Sequence, residues 1–96
     1  MVLEFKARVL KRHPDAAYQE IDGMAMVVVP GRAEVQILNP VGTRVWDLID
    51  GERTVSQILS ELAGEYEVEP GQLENDVREF VLSLDERDML LPDEVK

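Results

Sequence analysis

The segment 38–54, LNPVGTRVWDLIDGERT, constrains the fold more than any other. It starts one helix, supplies its apolar stripe, stops it and starts the next. Asn39 suits a helix N-cap, and Pro40 suits the first helical position, where a missing N–H costs little. Val41, Val45, Leu48 and Ile49 recur at helical spacing and predict a stripe facing a core. Gly51 is expected to end this helix as a C′ glycine. Thr54 and Gln57 then fit a capping box at the head of a second helix.

That second helix carries Val55, Ile58, Leu59, Leu62, Ala63 and Tyr66 on one face, a strong helical period. A third begins near Pro70 and continues the pattern through Leu73, Val77, Phe80, Val81 and Leu84. Met89-Leu90-Leu91, before Pro92, reads as a last strand or a tail that packs back. Upstream, residues 17–38 read as a β-meander. AYQEI and MAMVVV flank Asp22-Gly23, a two-residue hairpin signal. Pro30-Gly31 marks the next reversal. AEVQIL then alternates, with Ala33, Val35 and Ile37 on one face and Glu34, Gln36 and Leu38 on the other. This predicts a half-buried strand with one packed face. The fold class is therefore α+β: a three-stranded antiparallel meander on three helices, the layout of a winged helix. The first and third strands are edges, whose unpaired N–H and C=O groups must be covered, blunted or used.

Charge narrows the partners. The 96 residues carry a net charge of −10, unevenly placed. Residues 1–13 hold Lys6, Arg8, Lys11 and Arg12 against Glu4, leaving six basic and 19 acidic residues for the remainder. We expect 1–13 to be a basic N-terminal arm, mobile or loosely attached as a strand, and 14–96 to be one domain. An acidic body repels phosphate, and the third helix is acidic where a DNA-reading winged helix would be basic. Nucleic acid is therefore not an expected partner. With no long apolar run at the N-terminus, neither a signal peptide nor a membrane span is expected, and a cytoplasmic setting follows.

No constellation for chemistry is evident. Cysteine is absent, which excludes disulfides and thiolate metal sites. The lone His13 has no companion ligand, and Asp85, Glu86 and Asp88 lack the spacing of a calcium loop, reading instead as a solvated helix end. Ser56, Ser60 and Ser83 have no nucleophile-elbow context, and no glycine-rich phosphate loop occurs. Neither an enzyme nor a bound cofactor or metal is expected. Trp46, one position off the first stripe, is expected to pack at the core margin with its indole N–H on a backbone acceptor. An interface anchor is the alternative.

Leu38-Asn39-Pro40, the run Trp46-Asp47-Leu48-Ile49-Asp50-Gly51-Glu52-Arg53-Thr54, and Asp76-Val77, Phe80-Val81 and Leu84 together resemble the PqqD-like family of peptide-recognition domains, the RiPP recognition elements. The likeness runs from about Ala17 to Leu91, so that 14–96 would be a single PqqD-like domain. It implies a three-stranded sheet on a trihelical winged-helix unit. It also implies a non-catalytic peptide chaperone. Such a chain binds the leader of a ribosomally made precursor peptide and presents it to a modifying enzyme, often a radical SAM enzyme. One departure is plain. Members devoted to pyrroloquinoline quinone usually have a tryptophan in the second strand and an Ala-Pro-Glu-Arg-like turn, where this chain has MAMVVVPGR. Another peptide-modification pathway, or a divergent member of unassigned role, is implied.

In the family the leader adds as a strand to the third strand, beside the third helix, which agrees with the edge read from the residues. Carried onto this sequence, the peptide-binding residues are the backbone of Glu34, Val35, Gln36, Ile37 and Leu38. Phe80 and Leu84 would floor the groove, with Asp76, Glu79, Ser83 and Arg87 along its wall. A leader bearing lysine or arginine would suit the acidic body. Self-association through an edge strand, giving a homodimer, is the competing reading.

Overall fold

The computed structural model describes residues 5–29, 31 and 34–91. Strands β1 (Ala17–Ile21), β2 (Met24–Val28) and β3 (Val35–Ile37) form one antiparallel sheet in that order. Helices α1 (Pro40–Leu48), α2 (Val55–Glu65) and α3 (Pro70–Glu86) follow. This is the expected α+β arrangement. Pro30, Arg32, Ala33 and Pro92 lie outside the described residues.

Local chemistry sets the element ends. Asp22 and Gly23 both take positive φ, 53° and 78°, as a hairpin of this twist requires. The Asn39 side chain accepts from Gly42 N–H at 2.7 Å, and Pro40 opens α1. Thr54 and Gln57 exchange both capping-box bonds at α2, 3.2 and 2.8 Å. Gly51 has φ +82° but is not the C′ residue of α1. The helix closes at Ile49 in extended conformation, and Gly51 belongs to the turn held by Asp50, whose Oδ1 accepts from Glu52 and Arg53 N–H groups.

The core lies between the inner sheet face and the helices. Ala25 and Val27 from β2 meet Val45 and Trp46 of α1, Ile58 and Leu62 of α2, and Val77, Val81 and Leu84 of α3. Trp46 is wholly buried rather than at the margin. Its ring meets Tyr18 edge-on at 5.8 Å, and the Arg12 guanidinium lies 4.7 Å from the Tyr18 ring and 4.8 Å from the Trp46 ring. Arg12 also donates to the Trp46 carbonyl. The expected backbone acceptor for the indole is missing: Nε1 has no hydrogen-bond partner among the described residues. Packing of the large ring outweighs that unmet donor, which costs about 1–3 kcal/mol.

The basic N-terminal segment is packed rather than loose across its described part. Leu10 is fully buried in the core. The backbone of 8–13 stitches to three places: Val55 N–H to Arg8 O at 2.8 Å, Gly51 N–H to Leu10 O at 3.1 Å, and Leu91 N–H to Lys11 O at 2.9 Å. Met89 and Leu90 thereby pack back as a buried tail. Arg8 grips Asp85 with two bonds of 2.7 Å, and Lys6 meets Glu74 at 2.8 Å. The acidic third helix thus finds part of its basic complement within its own chain. Asp85, read from sequence as solvated, is an anchor for this segment.

Candidate functional site

Among the described residues β3 pairs only with β2, so its other edge is open there. Leu38 N–H donates to Ala25 O at 2.8 Å. Backbone groups alternate sides along an antiparallel strand, so the N–H and C=O of Gln36 face β2 while those of Val35 and Ile37 face the open edge. Side chains alternate too, as expected for a strand with one packed face. Val35 and Ile37 are 52% and 63% exposed, whereas Leu38 is buried and Gln36 half-buried. The packed face is that of Gln36 and Leu38.

Thr43 fixes this register. Its hydroxyl is buried, accepts from Ala25 N–H at 2.8 Å and donates to Leu38 O at 3.2 Å. One side chain of α1 therefore ties the middle strand to the end of β3. Nothing in the local pattern distinguishes this threonine from a surface one.

α3 supplies the wall beside the edge. Arg87 meets Glu34 at 3.6 Å, joining the end of the helix to the start of β3. Arg87 Nε also donates to Ser83 Oγ at 3.4 Å. At the opposite end, where β3 runs into α1, a cleft of about 410 Å³ opens. Val41, Val45, Val77 and Phe80 give it an apolar lining, and Asn39, Gly42, Asp76 and Glu79 complete it. Gly42 makes the close approach possible: a Cβ there would sit 3.0 Å from the Phe80 ring and 3.1 Å from Asn39 Oδ1.

Along the strip from Arg87 to the cleft, the structure joins Glu34, Ser83 and Arg87 at the start of β3. It brings Asp76, Glu79 and Phe80 together beyond the end of that strand. Gln36 and Leu38, expected to pair with a visiting strand, instead turn their backbone groups toward β2 and Thr43. Leu84 is 2% exposed and belongs to the core, where a visiting peptide cannot touch it without repacking. Sequence reasoning missed Asn39, Val41, Gly42, Val45 and Val77 as lining. Asn39 and Gly42 were legible only as helix-start residues, and Val41, Val45 and Val77 only as stripe. The strip is acidic toward the cleft and carries one cation, Arg87, at its far end. Among the described residues no three His, Asp or Glu side chains converge as a metal site would need, and no helix is long and apolar enough to cross a membrane.

A family model described as Coenzyme PQQ synthesis protein D (PqqD) matches residues 25–90. The chain belongs to the PqqD family. No curated protein sequence matches it. Two solved structures share its fold. TbiB1 in complex with the TbiA(beta) leader peptide superposes with a TM-score of 0.80 at 22% identity, covering 88% of this chain and 99% of that one. Lasso peptide synthetase B1 complexed with the leader peptide gives 0.78 at 24% identity, covering 88% and 100%. At such identities the likeness speaks for the fold. The matched PqqD region runs from β2 through Leu90, and so includes both the open edge and the α3 wall.

Proposed function

We propose that this PqqD-family chain is a non-catalytic recognition module that binds the leader of a ribosomally made precursor peptide as an added strand on β3. The observation carrying this reading is the open β3 edge, with backbone groups of Val35 and Ile37 turned outward beside the α3 wall. The two solved relatives are themselves leader-peptide complexes, which supports the same ligand class here. Within Glu34–Leu38, the outward N–H and C=O groups of Val35 and Ile37 form the ladder, since Gln36 and Leu38 turn theirs toward β2 and Thr43. Phe80 with Val41 and Val77 receives an apolar leader side chain in the cleft. Asp76 and Glu79 favour a neighbouring lysine or arginine, and Ser83 and Arg87 meet the other end. The leader is then presented in the cytoplasm to a modifying enzyme, of which a radical SAM enzyme is one class.

The energetics fit a transient carrier. Four outward backbone groups give about 0.5–1.5 kcal/mol per hydrogen bond. One buried leucine-sized side chain adds about 1.5–3 kcal/mol, and ordering a floppy peptide removes about 2–5 kcal/mol. Together these terms reach about 7 kcal/mol at most, a Kd of about 10 μM, so nanomolar affinity is not expected. A homodimer joined through the same β3 edges would compete with the leader for those groups.

Val35→Pro tests the mode. Proline removes an N–H that faces the open edge and leaves the β2 ladder intact. With a fluorescent leader peptide from the chain's gene neighbourhood, affinity should fall at least tenfold while the thermal midpoint changes little. Unchanged affinity would exclude strand addition on β3.

A further inference from the structure

The outer face of the sheet is apolar and uncharged, and among the described residues no element packs on it. Strand registers place Ile21, Met24, Val28, Val35 and Ile37 on it, with Met26 between them. The first five are among the exposed large hydrophobic residues of the chain. Ala17 and Gln19 complete the face, and none of these residues carries a charge, in a chain of net charge −10. Contiguous exposed apolar surface of this kind marks an interaction site.

We infer that this face is where the peptide-modifying enzyme docks, an inference that rests on the leader-binding reading above. Continuity is the first argument. Val35 and Ile37 put their side chains on the outer face and their free backbone groups at the open edge. A leader strand added there continues the same face. Its inner side is closed off by α3, so an enzyme reaching the seated peptide must approach from the edge or from the outer face. Area is the second argument. Three strands about 4.8 Å apart and five residues at about 3.3 Å each make a face of roughly 14 × 17 Å. That is far short of the roughly 800 Å² per partner of a stable pair, so a second copy is poorly served by it. A brief contact that also includes the leader strand fits. Charge is the third. Asp22, in the hairpin at its margin, is exposed, and copies of a chain of net charge −10 would repel. The partner surface should be apolar with lysine or arginine at its margin.

The test uses the full chain, the purified modifying enzyme encoded in its gene neighbourhood and the precursor encoded beside it. The double variant Ile21→Lys/Met24→Lys alters the face at the hairpin, on β1 and β2 rather than on the leader-binding strand. Leader affinity should stay within twofold of wild type while turnover of the chain-bound precursor falls at least tenfold. Ile21→Ser/Met24→Ser, which adds no charge, should fall severalfold and guards against a lysine variant that fails to fold. Unchanged turnover with intact leader binding overturns the inference. So does a wild-type dimer by sedimentation that the double variant dissolves, since the occupant is then a second copy. Failure of the wild-type chain to bind leader overturns the leader reading itself, and with it this one.

Discussion

Replacing Thr43 by valine keeps the side-chain shape and deletes one hydroxyl, so it isolates the bond that ties α1 to the sheet. Thr43 is 3% exposed and Ala25 fully buried. Without the hydroxyl, Ala25 N–H loses its 2.8 Å acceptor, and Leu38 O loses its 3.2 Å donor while keeping a second lone pair. An orphaned buried donor costs about 1–3 kcal/mol, and the carbonyl adds less. A loss of about 2–3 kcal/mol is expected. In a domain of this size each 1 kcal/mol moves the thermal midpoint by about 4–8 °C, so the drop should be about 10–20 °C. Thr43→Ser keeps both hydrogen bonds and loses one methyl, about 0.8 kcal/mol. Urea unfolding of wild type, Thr43→Val and Thr43→Ser would separate the two costs, with equal m-values showing that the unfolded state is unchanged. If valine and serine destabilise alike, the hydroxyl does not hold the sheet and the register argument for β3 loses its anchor.

Two further outcomes are expected. Gly42→Ala gains about 1 kcal/mol of helix propensity but forces the Phe80 ring away from its 3.0 Å approach, so stability should barely change while leader affinity falls severalfold; titrating the leader against the variant would contradict this if affinity held. Hydrogen bonds from Arg44, from the Arg53 and Glu52 backbone, and from Lys6 hold Glu65, Asp50 and Glu74 below the usual carboxylate range. Their contribution is thus full above the ordinary pKa of about 4 and is lost as pH falls through their lowered values. The urea midpoint should therefore drop between about pH 5 and pH 3, and less steeply in Glu65→Gln/Glu74→Gln; an identical pH profile would refute the assignment.

Residues whose message is local were readable in advance. Asn39-Pro40, Thr54 with Gln57, and Asp22-Gly23 each satisfy or shape backbone within a few positions, and the structure uses each one. The helical stripes of α2 and α3 were largely legible, because burial at a 3.6 period needs no knowledge of the partner, although Ala63, read as part of the α2 stripe, is exposed. Messages that depend on a distant element were not readable. Leu10 and Arg8 sit in a basic stretch that looks detachable until Asp85 and the core are brought beside it. Trp46 falls off the stripe of α1, yet Arg12 and Tyr18 close over it. In the candidate site, the α3 wall followed from helical spacing, but the cleft did not. It exists because Gly42 and Phe80 meet, two residues that have no relation along the chain.

β3 shows most clearly where stability and use diverge. Sliding its register by one residue would bury Val35 and Ile37 and expose Gln36 and Leu38, trading a buried leucine and a half-buried glutamine for two β-branched side chains. Thr43 and the Leu38–Ala25 bond hold the opposite register. A small domain with a marginal core thereby leaves two β-branched side chains in water and keeps a half-buried glutamine inside. Local pattern and tertiary arrangement disagree at this strand, and such conflicts concentrate where a surface has a use. This register serves both proposed contacts. It aims free backbone groups at a peptide along the edge and makes Val35 and Ile37 part of a face that the peptide would extend. A register chosen for the core would keep the open edge but would place a glutamine where the apolar face now runs on to it.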